Sequence, residues 1–480
     1  MTIARLAALP RPVPVVLAAA LLVSLVLALR LPLLDPDEGR NAEVAREMSA
    51  DGDVVVPHLA GLPYLDKPPL LFALAALSIR AFGATPLAAR LPAMLAALAT
   101  LLLLARASVR LEPAGHAARA TALTAAAPLF AALSAYVIFD MPLTLCVTAV
   151  WTGLALEHAE GPRTSRRAAM FAAVALGVLI KGPVMLAWAI GGSVAAACLL
   201  RSARALRWLG WAPGWAIVLA LAGGWFALAL RRHPEYARYA FVEESFERMT
   251  SGSFHRDEPW WFVPAVLVGG ALPWSLATPW RAPSSVGARV AAGFALFALV
   301  FFSLTRSKLV TYLLPALPAL AWWAAEAWTR AGAARGRTAP FSPAPLWAGL
   351  LGFTPLLVVL GAGPLEYRLP IVSGAPLAAA IARAGGGTVR YEGCYSPGSD
   401  YLRGAISTVV SRDGRELTSN YVLRYRDRLE TRGEWRLIDS AAVAPPAAIV
   451  VRPSAAPVAP GRRDSAFFTD SRFAASRLAR

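Results

Sequence analysis

The densest group of ionisable side chains in the sequence is Asp35-Pro36-Asp37-Glu38-Gly39-Arg40-Asn41-Ala42-Glu43-Val44-Ala45-Arg46-Glu47-Met48. Asp35 suits a helix N-cap, Pro36 the first helical position, and Asp37 and Glu38 the positive end of the helix dipole. Asp51-Gly52 suits its stop. Spacing of three and four places Asp37, Arg40, Asn41 and Val44 on one stripe, so a carboxylate and a guanidinium are presented together. The plainer reading of the same residues is a solvated amphipathic helix with favourable end charges. Next comes Tyr64-Leu65-Asp66-Lys67-Pro68-Pro69-Leu70. The prolines fix the backbone, so Asp66 and Lys67 are held where the chain turns apolar, and a lysine there can meet a lipid phosphate. An ordinary interfacial anchor would look the same.

Three more groups stand at the ends of apolar runs. Asp140 follows twenty apolar-rich residues and precedes Met141-Pro142; a carboxylate at that depth has a function or a partner, or else caps the next helix. Lys181-Gly182-Pro183 interrupts a long apolar stretch, and Lys308 sits with Arg306 in a short loop. A longer loop, 231–259, carries Glu243, Glu244, Glu247 and Arg248 at helical pairing distance, then His255, Asp257, Glu258 and Pro259-Trp260-Trp261. His255 can bind a metal with Asp66 or Glu258, or simply lie on the surface. There is no P-loop, no dinucleotide glycine fingerprint and no HExxH.

The elements that must position these residues are mostly membrane helices. Of 480 residues 57% are hydrophobic and only 16% charged, against roughly 25% charged in a soluble domain. The fold class expected is an all-α polytopic membrane protein with a small C-terminal α/β extramembrane domain. Eleven crossings are read: Val13–Leu34, Leu87–Leu104, Ala120–Phe139, Met141–Leu156, Ala168–Ile180, Val184–Leu200, Trp211–Leu230, Trp260–Trp280, Val290–Leu304, Leu309–Trp328 and Ala344–Gly363. The first run is too long for a signal-peptide core. Pro68–Phe82 is read as an interfacial helix, and Lys181-Gly182-Pro183 as an outer turn between two short crossings. Alternate loops then carry fourteen arginines against three glutamates, which makes that side cytoplasmic. The N-terminus falls inside, and all three lysines of the chain (Lys67, Lys181, Lys308) fall on the outer rim. The net charge of +17 reports topology, not nucleic-acid binding. The three cysteines are far apart and indicate neither a disulfide framework nor a metal site.

The boundary expected is at 363. Residues 1–363 form the membrane part, with 35–86 as its first periplasmic loop; 364–480 form the external domain. Short β-like runs appear at Ile406–Ser411 and Ala448–Arg452, with a turn at Arg412-Asp413-Gly414. The Ala/Pro/Arg-rich stretch Pro453–Arg480 is expected to be flexible.

Taken together the motifs resemble a known family. Asp37-Glu38-x-Arg40, Ala42-Glu43-x-x-Arg46-Glu47-Met48, Val56-Pro57-His58-Leu59-x-Gly61 and Asp66-Lys67-Pro68-Pro69-Leu70 are similar to the GT-C membrane glycosyltransferases that use polyprenyl-phosphate sugars. The match is to the lipid A aminoarabinose transferase branch, related to the protein O-mannosyltransferases. Asp140-Met141-Pro142-Leu143, Lys181-Gly182, His255 to Trp261 and Lys308-Leu309-x-Thr311-Tyr312-x-Leu314-Pro315 extend it over about residues 35–330, and Glu416-Leu417-Thr418-Ser419-Asn420-Tyr421 resembles the family's external domain. The pattern departs at Asp66, where the family has glutamate, and at Asn41, where an aromatic is common.

The resemblance implies an inverting transferase of the bacterial inner membrane. It would move a sugar from undecaprenyl phosphate to lipid A or another envelope glycolipid, on the periplasmic face. Asp37 would orient or deprotonate the acceptor, with Asp140 assisting. Arg40, Lys67 and Lys181 would bind the donor phosphate. Glu38, Asn41, Tyr64, Glu243, Lys308 and Tyr312 would line the substrate cavity. Asp66 and His255 would hold a structural divalent metal such as zinc, and catalysis would require no cofactor. The same-class alternative is a protein O-mannosyltransferase with a protein acceptor. A transporter or lipid flippase is the alternative of another class, and it would show charges midway along its helices; only Glu326 and Arg90 come near that.

Overall fold

The computed structural model describes residues 9–247, 258–334, 373–437, 448–455 and 466–477. Two compact units divide the chain. One comprises residues 1–27 and 93–360, the other residues 28–92 and 361–480. The chain-order boundary expected at 363 therefore differs from the grouping by packing: the first loop packs with the C-terminal residues.

The first unit is helical. Its principal helices are α1 (Pro12–Arg30), α4 (Pro86–Leu111), α5 (His116–Ala126), α6 (Pro128–Leu133), α7 (Asp140–Glu160), α8 (Thr164–Lys181) and α9 (Val184–Leu200), followed by Ala212–Arg232, Phe262–Gly270, Val286–Leu304 and Leu317–Ala333. Among the described residues four helices are long and apolar enough to cross a membrane: α1, α4, Ala212–Arg232 and Val286–Leu304. The chain is a polytopic helical membrane protein. The last crossing read from sequence, Ala344–Gly363, lies outside the described residues.

Proline explains where the helices differ from the runs read in sequence. Ala120–Phe139 is not one helix. Ala127 is extended, Pro128 opens α6, and the chain then turns into α7. Trp260–Trp280 likewise breaks at Leu272-Pro273. Leu309–Trp328 starts as a tight 3₁₀ segment, Val310–Ala316, before the Leu317–Ala333 helix. The break at Lys181-Gly182-Pro183 is present, with Gly182 at φ 79°. Small residues let helices approach closely. A Cβ on Gly293 would lie 2.5 Å from the Ala196 backbone nitrogen, so the Val286–Leu304 helix meets α9 backbone to backbone there. Some buried polar groups pair across elements of this unit: Ser108 Oγ with His116 Nδ1 at 2.7 Å, and one Glu326 carboxylate oxygen with the Ser284 and Ser285 backbone N–H at 2.9 and 3.0 Å. Glu326, noted in sequence as a charge within a helix, thus accepts at the start of Val286–Leu304.

The second unit joins the first loop to a small α/β domain. Its first-loop elements are α2 (Asp37–Asp51), a hairpin of β1 (His58–Leu59) and β2 (Leu62–Pro63), and α3 (Leu70–Phe82). At 13 residues α3 is about 20 Å long, short of the roughly 30 Å core of a bilayer. The hairpin turns through Ala60 and Gly61, both at positive φ, which a two-residue hairpin turn requires. The C-terminal part is a five-stranded sheet in the order β4 (Thr408–Val410), β3 (Val389–Glu392), β5 (Ile449–Pro453), β7 (Phe473–Arg477), β6 (Ala466–Thr469). β3 runs parallel to β4 and β5, and β7 antiparallel to β5 and β6. Helices Ala375–Arg383, Pro397–Arg403 and Asn420–Thr431 complete it. The tail expected to be flexible contributes two strands. Phe473 and Ala475 are buried against β5, an alternation the Ala/Pro/Arg-rich composition hides.

Candidate functional site

The first-loop helix α2 forms where the charges place it, ending at Gly52 in the left-handed conformation. Two local expectations change. Asp35 does not cap its own helix. Its carboxylate accepts from Ser396 Oγ at 2.8 Å and the Gly398 N–H at 3.0 Å, at the start of the Pro397–Arg403 helix. Nor is α2 a solvated amphipathic helix: Glu38, Gly39 and Asn41 through Met48 are all buried. Helix α3 and, from the C-terminal part of the chain, the Pro397–Arg403 helix supply the cover.

Within this unit one cation cluster gathers most of the expected first-loop residues. Arg40 donates to Asp37 at 2.5 Å and lies over the Tyr64 ring, 5.8 Å from its centroid. Its other terminal nitrogen donates to Thr418 Oγ1 at 2.5 Å and to the Thr418 carbonyl at 3.3 Å. Arg40 Nε is buried and has no partner among the described residues, so one donor of the fork is uncommitted. Burial disfavours the guanidinium charge, yet Tyr64, Asp37 and Asp66 around it hold its pKa above the usual arginine range. The Asp37 side chain is 59% exposed, open to an incoming group. Lys67 follows directly, its Nζ donating to the Asp66 carbonyl at 2.8 Å. The Asp66 carboxylate accepts from Ser419 Oγ and from the Tyr421 N–H at 3.1 Å.

Glu38 is placed differently from a cavity-lining residue. It is wholly buried, bound by Arg90 Nε and a terminal nitrogen at 2.7 and 2.8 Å, and it accepts from the Leu34 N–H. Asn41 is buried one turn above Asp37.

The other unit holds a second group. Asp140 is the first residue of α7, buried, and is ion-paired with Lys181 at the end of α8. Lys181 also lies over the Tyr312 ring at 4.5 Å from its centroid. Lys308 donates to the Glu258 carbonyl at 2.8 Å, and Glu243 is paired with Arg238 at 3.3 Å. The α7–α8 geometry thus joins the Asp140 and Lys181 motifs, which sequence spacing alone does not.

The metal pairing of Asp66 with His255 includes a residue outside the described ones. Among those described, no group of three or more His, Cys, Asp or Glu is set to hold an ion. The Asp66 carboxylate has a hydrogen-bond donor on each oxygen.

Sequence reasoning missed a buried acidic network behind α2. Glu43 binds Arg46 through two hydrogen bonds of 2.7 and 2.6 Å. Glu47 accepts from the Ala60 and Gly61 N–H groups at 2.7 and 3.0 Å, fixing the hairpin turn. Asp400 accepts from the Ser407 N–H and hydroxyl and pairs with Arg403. Burial pushes Glu47 up to about 7, Asp400 up to about 6, and Glu43 well above the ordinary carboxylate range. It also missed Thr418 and Ser419 as neighbours of Arg40 and Asp66. The signal present was Ser419 ahead of a helix, where its hydroxyl accepts from the Val422 N–H.

Comparison with known proteins bears out the resemblance carried by the motifs. Residues 66–225 match the family model of dolichyl-phosphate-mannose-protein mannosyltransferases. The chain is similar to proteins named undecaprenyl phosphate-alpha-4-amino-4-deoxy-L-arabinose arabinosyl transferase. With that of Aeromonas salmonicida it shares 30% identity over 305 residues, 60% of this chain and 55% of the relative. With that of Serratia proteamaculans it shares 29% over 348 residues, 69% and 62%. The chain spans a little over half the length of the curated relatives it matches. In fold it is similar to the crystal structure of ArnT from Cupriavidus metallidurans bound to undecaprenyl phosphate, with a TM-score of 0.76 and 23% identity over 97% of each chain.

Proposed function

We propose that this protein is an inverting glycosyltransferase of the inner membrane. It moves a sugar from undecaprenyl phosphate to lipid A or another envelope glycolipid on the periplasmic face. The observation that carries this reading is the first-loop group of Asp37, Arg40, Tyr64 and Lys67: an accessible carboxylate paired with a guanidinium that keeps one donor uncommitted, and a lysine adjoining Asp66, whose charge acts on the same guanidinium. The similar proteins named for undecaprenyl phosphate sugars supply the substrate class.

The chemistry is a single displacement. An acceptor oxygen attacks the anomeric carbon, the bond from that carbon to the phosphate oxygen breaks, and undecaprenyl phosphate leaves with the electron pair. Arg40 and Lys67 are the groups that stabilise the charge gathering on the phosphate. Asp37 orients the acceptor and takes its proton. Asp140 and Lys181 are the second group assigned to the reaction, Lys181 for phosphate and Asp140 as assisting carboxylate. Glu38 acts at one remove, through Arg90. Asn41, Glu243, Lys308 and Tyr312 are assigned to substrate contacts. The carbon–oxygen exchange involves no redox change, and no step runs through a metal. The topology proposed is eleven crossings, the N-terminus cytoplasmic and the C-terminal domain periplasmic.

Mass analysis of envelope lipids from cells with and without the gene identifies the product. Asp37→Ala and Lys67→Ala should each lower transfer by at least a hundredfold while membrane insertion is unchanged; full activity in both rejects the assignment. The match of 66–225 to the protein mannosyltransferase model favours one second reading, a protein O-mannosyltransferase. A mannosylated protein in place of a modified lipid would establish it.

A further inference from the structure

The cation cluster is not built by the first loop alone. Thr418 and Ser419 lie some 350 residues further along the chain, yet each bonds to a first-loop residue. Thr418 ends a 3₁₀ turn, Arg415–Leu417, with its own N–H donating to the Arg415 carbonyl at 3.0 Å. It sits at φ 52°, a conformation rare for a β-branched residue and costly unless its surroundings require it. That conformation brings both its hydroxyl and its carbonyl to one terminal nitrogen of Arg40. The two bonds fix one edge of the guanidinium, Asp37 fixes the other nitrogen, and Nε is left without a partner among the described residues. An arginine so held presents its spare donor in one direction. Ser419, the next residue, donates to the Asp66 carboxylate and also caps the Asn420–Thr431 helix, while the Tyr421 N–H takes the second Asp66 oxygen. Asp66 is thereby locked, and its carbonyl is the acceptor for Lys67 Nζ.

We propose that Thr418 and Ser419 are positioning residues of the donor-phosphate site: Thr418 aims Arg40, and Ser419 fixes the Asp66–Lys67 backbone from which the lysine reaches. The C-terminal domain is then part of the reaction centre instead of an appendage to it. This rests on the reading of Arg40 and Lys67 as phosphate ligands. Neither residue touches the substrate. Their effect is on how well two flexible cations are pre-organised for an oxyanion, so their loss weakens phosphate binding more than it weakens the fold.

The test uses the full-length protein in detergent with undecaprenyl phosphate alone as probe, its Kd read by intrinsic tryptophan fluorescence, and thermal melting followed in parallel. Thr418→Val removes the hydroxyl and keeps the branched shape. It should raise Kd about tenfold, the worth of one hydrogen bond to a charged group, with the melting temperature nearly unchanged. Thr418→Ser should restore affinity. Ser419→Ala loses the bond to Asp66 and the helix cap together, so Ser419→Asp separates them: it keeps a capping carboxylate but sets it against Asp66. Weak binding in Ser419→Asp at normal stability, with recovery in Ser419→Thr, supports the proposal. Wild-type Kd in Thr418→Val and Ser419→Asp, while Lys67→Ala binds poorly, overturns it and leaves the phosphate site standing. A Kd that rises only in step with lost stability also overturns it. Wild-type binding in Lys67→Ala and Arg40→Ala removes the phosphate reading itself, and this proposal with it.

Discussion

Arg90 shows how one buried charge can be made tolerable. Its side chain is 1% exposed, and all five guanidinium N–H groups have acceptors: the two Glu38 oxygens and the carbonyls of Ala28, Leu31 and Pro32. Those carbonyls lie at and just beyond the end of α1, where a cation also meets the negative end of the helix dipole. In sequence Arg90 is merely an arginine near the end of an apolar run, and Glu38 one of several acids in a charged loop. Their partnership spans 52 positions and has no local signal. Removing one partner strands the other charge in the interior. Glu38→Gln should therefore cost about 3–5 kcal/mol of stability, and Arg90→Ala at least as much. Replacing both (Glu38→Gln with Arg90→Met) should cost less than the two single losses added. Melting of the purified protein in detergent measures this. Single variants that melt with the wild type would show that the pair holds nothing together.

Helix α2 holds the β1–β2 hairpin turn through Glu47, and it packs on the helix that carries Asp400; burial favours the neutral form of both acids. The folded protein keeps Glu47 protonated up to about pH 7 and Asp400 up to about 6, because burial outweighs their hydrogen bonds, whereas an unfolded chain ionises both near pH 4. Between those limits the folded state carries more protons, so stability is greatest at the acid side and falls as pH rises through 5 to 7. At about 1.4 kcal/mol per pKa unit, Glu47 alone accounts for roughly 3 kcal/mol of this slope. The protein should melt several degrees higher at pH 5.5 than at pH 8, and Glu47→Gln, which keeps the neutral shape, should flatten much of the difference. An unchanged pH dependence in Glu47→Gln would assign the slope to other groups. The helix itself was legible in the sequence because caps, dipole charges and the glycine stop are local. Its burial was not, since part of the cover, the Pro397–Arg403 helix, lies far along the chain from the α3 helix that supplies the rest. The same divide explains the apolar runs. Their existence follows from composition, but the breaks at Pro128 and Pro273 do not: proline in a membrane helix is tolerated as often as it interrupts one, and neighbours decide which.

At the scale of the chain, the proposed sides are read from arginine placement. Translocating an arginine-rich loop is disfavoured, so the short loops bearing Arg163, Arg166 and Arg167, or Arg201, Arg204 and Arg207, should remain in the cytoplasm. The structure shows Arg163 between α7 and α8, Arg166 and Arg167 in the first turn of α8 paired to Glu160 and Glu157, and Arg201, Arg204 and Arg207 in the connection after α9. In the proposed topology the turn at Gly182, at the other ends of α8 and α9, falls on the opposite side. The parity extends to the second unit only through the orientation assigned to the chain, which places Asp413 in the periplasm. Cysteine labelling tests it directly. In a background with Cys146, Cys198 and Cys394 replaced by serine, Gly182→Cys and Asp413→Cys should react with a membrane-impermeant maleimide in intact spheroplasts, and Arg163→Cys only after lysis. Labelling of Arg163→Cys in intact spheroplasts would reverse the chain, turn Asp140 and Lys181 toward the cytosol, and remove their access to any donor presented on the outer leaflet.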